Sequence, residues 1–351
     1  MFTSFLCLYS YLPFITAITP QINQQNLLQS STCNISQTQT ELTSSLNAMS
    51  IASTSEIEPE VQTCFEPVTG TWQYIVSDPS THEAAVIDSV LDFDPATTRI
   101  TTTSADALLS HIAERNLKIT RIMETHAHAD HLTASHYLQS KLVQLGHPKP
   151  KIAIGKRIVQ VQKTFASKYG IPESELENVF DELWEDDQKF KIGQLEASVL
   201  HLPGHTPDHV GYKIGANVFV GDSIFNPDVG SARCDFPGGS ATDLWASTQR
   251  LLSLPEETRL YTGHDYPPST REGGNAVPYT TVQEQRKGNK HVNVQATREQ
   301  FVDWRRERDG GLGEPRLLHQ SLQFNVRAGR LPGNGQFRVP IKGGSEVLSM
   351  L

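Results

Sequence analysis

The chain has 351 residues, 37% of them hydrophobic and 20% charged, with a formal net charge of −9. That balance suits a globular fold, and an acidic chain without a block of Lys or Arg is a poor partner for nucleic-acid phosphates. The four cysteines, Cys7, Cys33, Cys64 and Cys234, form no C-x-x-C pair, so neither a disulfide framework nor a thiolate zinc site is indicated and a reducing compartment fits.

The first Lys or Arg is Arg99, so the apolar stretch from Phe5 to Ile18 lacks the basic flank of a secretory signal and the arginines of a mitochondrial presequence. Thr, Ser and Pro break that stretch, which falls short of the roughly 18 apolar residues of a membrane span, and no membrane segment is expected. Residues 21 to 60 are rich in Gln, Ser and Thr, a composition that buries too little apolar surface to offset its ordering entropy. Residues 1–60 are therefore expected to be a disordered, low-complexity leader, and Met49 would serve as a natural alternative start.

From Thr71 onward, β-rich runs alternate with turns, predicting strands at residues 72–78, 84–89, 119–125, 151–155, 195–202, 209–215, 217–222 and 259–264. Helical periodicity predicts helices at 104–115, 131–145 and 241–254, the last opened by Ser240 with Asp243 three positions on. Two further helices are expected near 280–288 and 297–308. Strand hairpins mixed with strand-helix units point to sheets flanked by helices, an α+β domain over residues 61–310. The remainder, 311–351, is rich in Gly, Pro and Arg with one strand-like run, LQFNVRAG, and is expected to pack on that domain or meet a partner.

The most informative stretch is ITRIMETHAHADHLTASHYL, in which a buried strand reaching Thr125 is followed by His126, His128, Asp130 and His131. Alternation puts His126, His128 and Asp130 on one side of an extended loop, with His131 projecting from the first turn of a helix. Imidazole mixed with carboxylate selects a transition metal over calcium. Three later residues, His205 in HLPGHTPDH, Asp222 in VFVGDS and His264 in LYTGHDYPP, each follow an apolar β run. Strand ends gather distant residues on one rim of a sheet, and Gly204 and Gly221 permit tight turns before two of these residues. A single histidine at a strand end is more often hydrogen-bonded than metal-bound; the joint pattern is what points to a metal.

These motifs, over roughly residues 65–310, resemble the metallo-β-lactamase superfamily, which implies a four-layer αββα sandwich with metal at one rim. The segment GDSIFNPDVGSARCDFPGGSATDLWAS and the following GHDYPP resemble the persulfide dioxygenases of that superfamily. The resemblance implies one Fe(II) per chain held by His126, His205 and Asp222, with His128, Asp130, His131 and His264 orienting ligands and water, and with Arg233 and Tyr266 lining the substrate pocket. It further implies oxidation of glutathione persulfide by dioxygen to sulfite and glutathione, in the cytoplasm or mitochondrion. Ser231 stands where some members carry a cysteine, with Cys234 nearby.

Each pocket residue carries a second reading. Arg233 suits a glutathione carboxylate or a structural ion pair with Asp228 or Asp235. Tyr266 could donate a hydrogen bond into the site or pack beneath Pro267 and Pro268, and Cys234 could be a reactive thiol or a buried inert one. The closest rival function is a binuclear zinc thioester hydrolase of the glyoxalase II type, in which Asp130, His131 and His264 complete a second site and Asp222 bridges. Against it, the chain after His264 is read as too short and too poor in basic residues for a separate helical glutathione-binding domain. A metallo-nuclease is disfavoured by the acidic charge, and an inactive scaffold by the presence of all seven candidate ligands. Aromatic-rich edges could support a homodimer.

Overall fold

The computed structural model describes residues 57–340, so the expected leader falls almost wholly outside the described residues. The strands are β1 (Glu60–Glu66), β2 (Thr71–Ser77), β3 (Glu83–Ile87), β4 (Val90–Asp94), β5 (Arg99–Thr101), β6 (Lys118–Met123), β7 (Leu132–Thr133) and β8 (Lys151–Gly155). They continue with β9 (Glu182–Trp184), β10 (Lys189–Ile192), β11 (Leu195–His201), β12 (Val210–Ile214), β13 (Asn217–Gly221), β14 (Arg259–Thr262) and β15 (Tyr279–Thr281). The helices are α1 (Thr103–Glu114), α2 (Ser135–Gln144), α3 (Ile158–Tyr169), α4 (Ala241–Leu252), α5 (Val282–Gly288), α6 (Arg298–Gly310) and α7 (Leu318–Asn325). Among the described residues no helix is long and apolar enough to cross a membrane.

Two six-stranded sheets, ordered β1-β2-β3-β6-β8-β9 and β10-β11-β12-β13-β14-β15, face each other, and a small sheet β5-β4-β7 sits beside them. Strand alternation explains the layering. In β2, Trp72, Tyr74 and Val76 join Met123, Val199, Tyr212 and Phe219 between the sheets. Ile75 of the same strand points the other way, onto Leu108 and Ile112 of α1 and Leu138 and Leu142 of α2. On the outer face of the second sheet, Val218, Val220 and Leu260 meet Leu244 and Leu251 of α4, Val282 of α5 and Phe301 of α6. The result is the αββα sandwich. Each buried aliphatic or aromatic side chain contributes about 1.5–3 kcal/mol of transfer free energy.

Local signals start the later helices as read from the sequence. The Ser240 hydroxyl accepts from the Asp243 amide at the start of α4, and Thr297 with Gln300 forms a capping box at α6. Three expectations need correction. The helix expected from residue 131 begins at Ser135, because Leu132 and Thr133 pair instead with Leu91 and Val90; His131 therefore sits in a loop, not a helical turn. The strand-like run LQFNVRAG is helix in its first half and turn in its second: α7 ends at Asn325 and is buried on nearly every side, which removes the polar face a helical period would have shown. In addition, the strand expected through Thr125 ends at Met123, so residues 124–131 form a loop at the rim.

Candidate metal centre

The rim where β6, β11, β13 and β14 end carries the motif residues. His126, His205 and Asp222 each offer a ligand atom, and the three atoms lie within 4.8 Å of one another. All three residues are buried. His205 Nδ1 lies 2.7 Å from the Arg233 carbonyl, which can only accept, so the proton is on Nδ1 and the Nε2 lone pair faces the cluster. Thr125 Oγ1 donates to Asp88 and so receives from His126 Nδ1, 3.0 Å away; His126 Nε2 is left buried without a hydrogen-bond partner, as is Asp222 Oδ1. Buried polar atoms are rarely left unpaired, and two imidazole nitrogens with one carboxylate oxygen, aimed at one point, form a donor set that fits a divalent transition metal.

The other four candidates gather around this trio in a different arrangement. His128 groups with Asp130 and His131, and separately with Asp88 and Glu124. Its Nε2 lies 3.1 Å from both Asp88 Oδ1 and Glu124 Oε2, acceptors that fix the proton there. Burial opposes charging His128, but the Asp88 and Glu124 carboxylates outweigh it and hold its pKa well above the usual value. Asp130 lies 3.1 Å from His131 Nδ1 and 3.2 Å from His264 Nε2. Despite burial its pKa is far below the carboxylate range, because His264 and His131 face it. His264 Nε2 is also 3.6 Å from Asp222 Oδ1.

Several supporting residues were not singled out from the sequence. His209, the second histidine of HLPGHTPDH, accepts the Asp222 amide at 2.9 Å through Nε2, and its ring stacks on His126 with centroids 4.8 Å apart. Burial and the neighbouring His205 push its pKa well down, so it remains a neutral acceptor. Asp88 receives the Thr125 amide and hydroxyl at 2.7 and 2.8 Å, and Asp208 receives the Ala127 amide at 2.9 Å. Glu124 accepts from the Thr133 and Ser135 hydroxyls. Gly221 has φ +48°, and a Cβ there would lie 2.5 Å from Thr125 Oγ1 and 2.8 Å from His209 Nε2; only glycine lets the end of β13 reach both supports.

The segment after His264 also reaches the centre. Asn325, at the end of α7, donates to the carbonyls of His128 and His131 at 2.8 Å and accepts the Thr133 amide at 2.9 Å. On α6, the buried Arg305 pairs with Asp309 and donates to the carbonyls of Ser231 and Ala232, while Asp309 accepts the Cys234 amide at 2.8 Å. Residues 231–234 are thus clamped, and their Arg233 carbonyl orients His205.

A cleft of about 370 Å³ opens onto Asp130, His205, Asp222 and His264, with Arg233 and Tyr266 on its wall. The Arg233 guanidinium is engaged by Asp235 and by the Gly313 carbonyl, the ion-pair reading with Asp235; Asp228 pairs instead with Arg271. Half-exposed Tyr266 stacks its ring on His264, 5.5 Å between centroids. Burial and the Asp130 and Asp222 charges raise its phenol pKa, so it stays protonated. Cys234 is buried, and burial together with Asp309 pushes its thiol up to about 12, which makes it inert at neutral pH.

A family model described as the metallo-beta-lactamase superfamily matches residues 67–264. The chain is 43% identical over 280 residues to Glyoxylase B2 of Dictyostelium discoideum, covering 79% of this chain and 91% of that protein. It is 44% identical to the Beta-lactamase hydrolase-like protein of Agrobacterium fabrum, covering 78% of this chain but 62% of that longer relative. Human "Persulfide dioxygenase ETHE1, mitochondrial" is 27% identical over 76% of this chain and 87% of its own length. Among solved structures, ETHE1 from Myxococcus xanthus superposes with a TM-score of 0.60 and 27% identity, covering 77% of this chain and all of that one.

Proposed function

We propose, from the premise that the chain belongs to the metallo-β-lactamase superfamily, that it is a mononuclear iron(II) dioxygenase oxidising glutathione persulfide. The overall change is persulfide, dioxygen and water giving glutathione, sulfite and protons, with water supplying the third sulfite oxygen. Membership makes the chain an enzyme of a metal-dependent superfamily; the reaction is our reading. The observation that carries it is the convergence of His126, His205 and Asp222, while His128 Nε2 is occupied by two carboxylates. Likeness to ETHE1 proteins, human and bacterial, over most or all of their length supports the same choice.

His126, His205 and Asp222 would hold the iron. It would supply open coordination positions for the persulfide sulfur and dioxygen, together with the redox chemistry that joins them. The rest of the work belongs to the chain. Arg233 O and Thr125 Oγ1 fix the tautomers that keep the two imidazole Nε2 atoms free. Asp130, held ionised, accepts from His131 and lies 3.2 Å from His264 Nε2, so its charge faces both rings. Tyr266, kept neutral, can only donate or accept a hydrogen bond at its hydroxyl and cannot serve as a base at neutral pH. The stacked His264 and Tyr266 rings and Phe225 give one side of the cleft an aromatic face.

A second reading rests on one specific observation: His131 Nε2 and Asp222 Oδ1 are both buried and unpartnered, and Asp130 and His264 stand beside them. With two zincs that set would suit a thioester hydrolase, and the name of the Dictyostelium relative leans that way. Parallel assays separate the two. Oxygen uptake and sulfite formation with glutathione persulfide after anaerobic iron loading are expected, without hydrolysis of lactoylglutathione after zinc loading. The reverse result, with thioester cleavage alone, would falsify the proposal.

A further inference from the structure

The carboxylate candidate read from the sequence, Arg233, is already occupied by Asp235 and Gly313, which leaves open what recognises an anionic substrate. Although the chain carries a net charge of −9, the charged side chains lining the cleft away from the metal cluster are all cationic: Arg233, Lys290, Arg305 and Arg308. Arg305 is spent on Asp309 and on the Ser231 and Ala232 carbonyls. Among the described residues, Lys290 and Arg308 have neither an ion pair nor a side-chain hydrogen bond, and both face the cleft.

Their placement is built rather than incidental. Gly230 has φ +101°, and a Cβ there would lie 2.2 Å from the His291 ring and 3.2 Å from Lys290 Cε, so the missing side chain lets the Lys290 stem lie along the loop. The Lys290 amide is anchored to the Pro227 carbonyl at 3.1 Å. His291 is stacked on Trp304 with centroids 3.5 Å apart. Trp304 and Arg308 are four residues apart on α6 and share one helix face. Two unpaired cations thus flank an aromatic wall in the cleft that contains His205 and Asp222.

We propose that Lys290 and Arg308 bind the carboxylates of the thiol carrier, so that the site selects a carboxylate-bearing carrier such as glutathione over neutral thiols. The inference takes its substrate class from the persulfide reading above but concerns binding alone. Both cations are exposed, so each contact is partly screened by water and salt. Replacing either should weaken carboxylate binding by roughly fivefold to tenfold, below the full range of charge-assisted hydrogen bonds because of that screening.

The test is calorimetric titration of anaerobic, iron-loaded protein with glutathione and with its diethyl ester. The wild type is expected to bind glutathione more tightly than the ester. Lys290→Met and Arg308→Met should each weaken glutathione, the double variant more so, with ester binding unchanged. In oxygen-uptake assays the same variants should raise KM for glutathione persulfide and leave kcat in place. Equal wild-type affinity for acid and ester, or variants that bind glutathione as the wild type does, would overturn the inference. Carboxylate-dependent binding without any oxygen uptake supports the subsite and defeats the persulfide reading instead.

Discussion

Two regions of the molecule meet at the cleft and are built on different principles. The candidate-ligand rim, from His126 to His131 with His205, Asp222 and His264, is a set of strand-end loops, some of whose polar atoms face one point while others are tied to Asp88, Glu124, Asp208 and His209. The opposite wall, from residue 231 through α6 and α7, lies largely beyond the 67–264 family match. It contributes no member of the ligand trio and acts through clamps. Arg305 and Asp309 hold the loop whose carbonyl orients His205, and Asn325 holds the loop that carries His128 and His131. The difference teaches that the rim gathers the candidate ligands, while the C-terminal helices hold the loops that carry them and wall the cleft.

The comparison breaks most sharply at the rim. Asp222→Ala should abolish iron binding and activity together, whereas His264→Ala should keep its iron and lose turnover; metal analysis of both variants checks this. If His264→Ala emptied the site, the division between ligands and supports would be wrong. On the wall, Arg305→Met strands Asp309 as a buried charge and should cost about 3–5 kcal/mol in chemical denaturation; an unchanged midpoint would show that the clamp carries no weight. Asn325→Ala leaves the buried Thr133 amide and two carbonyls unpaired, a cost of about 1–3 kcal/mol, and should also weaken iron affinity without touching any ligand.

The smallest effect concerns His291, whose pKa falls from 6.5 to about 4 through burial and the nearby Lys290 and Arg305 charges. A histidine whose pKa is depressed in the folded state binds its proton first in the unfolded chain as the pH falls. Its contribution to stability is therefore complete above pH 6.5 and is lost as the pH falls toward 4. His291→Gln should flatten the acid limb of a stability profile over that window. A limb of unchanged slope would remove His291 from the wall's electrostatics.

How much of this was legible in the sequence follows the same division. The rim was readable because its chemistry is concentrated in short strings: THAHADH places four candidate ligands in six residues, and the apolar runs before His205, Asp222 and His264 mark strand ends. The supports were not readable. Asp88, Glu124 and Asp208 are single acidic residues that resemble solvated turn residues until long-range pairing buries them. His209 stood inside a string already noticed, yet nothing local says that its Nε2 meets the Asp222 amide. On the wall, α7 hid because both its faces are buried, so the alternation of Leu322, Phe324 and Val326 looked like a strand. Helix α3 was missed although Val161, Phe165 and Tyr169 recur at helical spacing, because IVQV opens like a β run.

The measurement that bears most directly on the account is anomalous diffraction from crystals grown anaerobically with iron(II). One peak per chain is expected, within bonding distance of His126 Nε2, His205 Nε2 and a carboxylate oxygen of Asp222. Two peaks flanking Asp222, or a single peak among His128, Asp130 and His131, would contradict it.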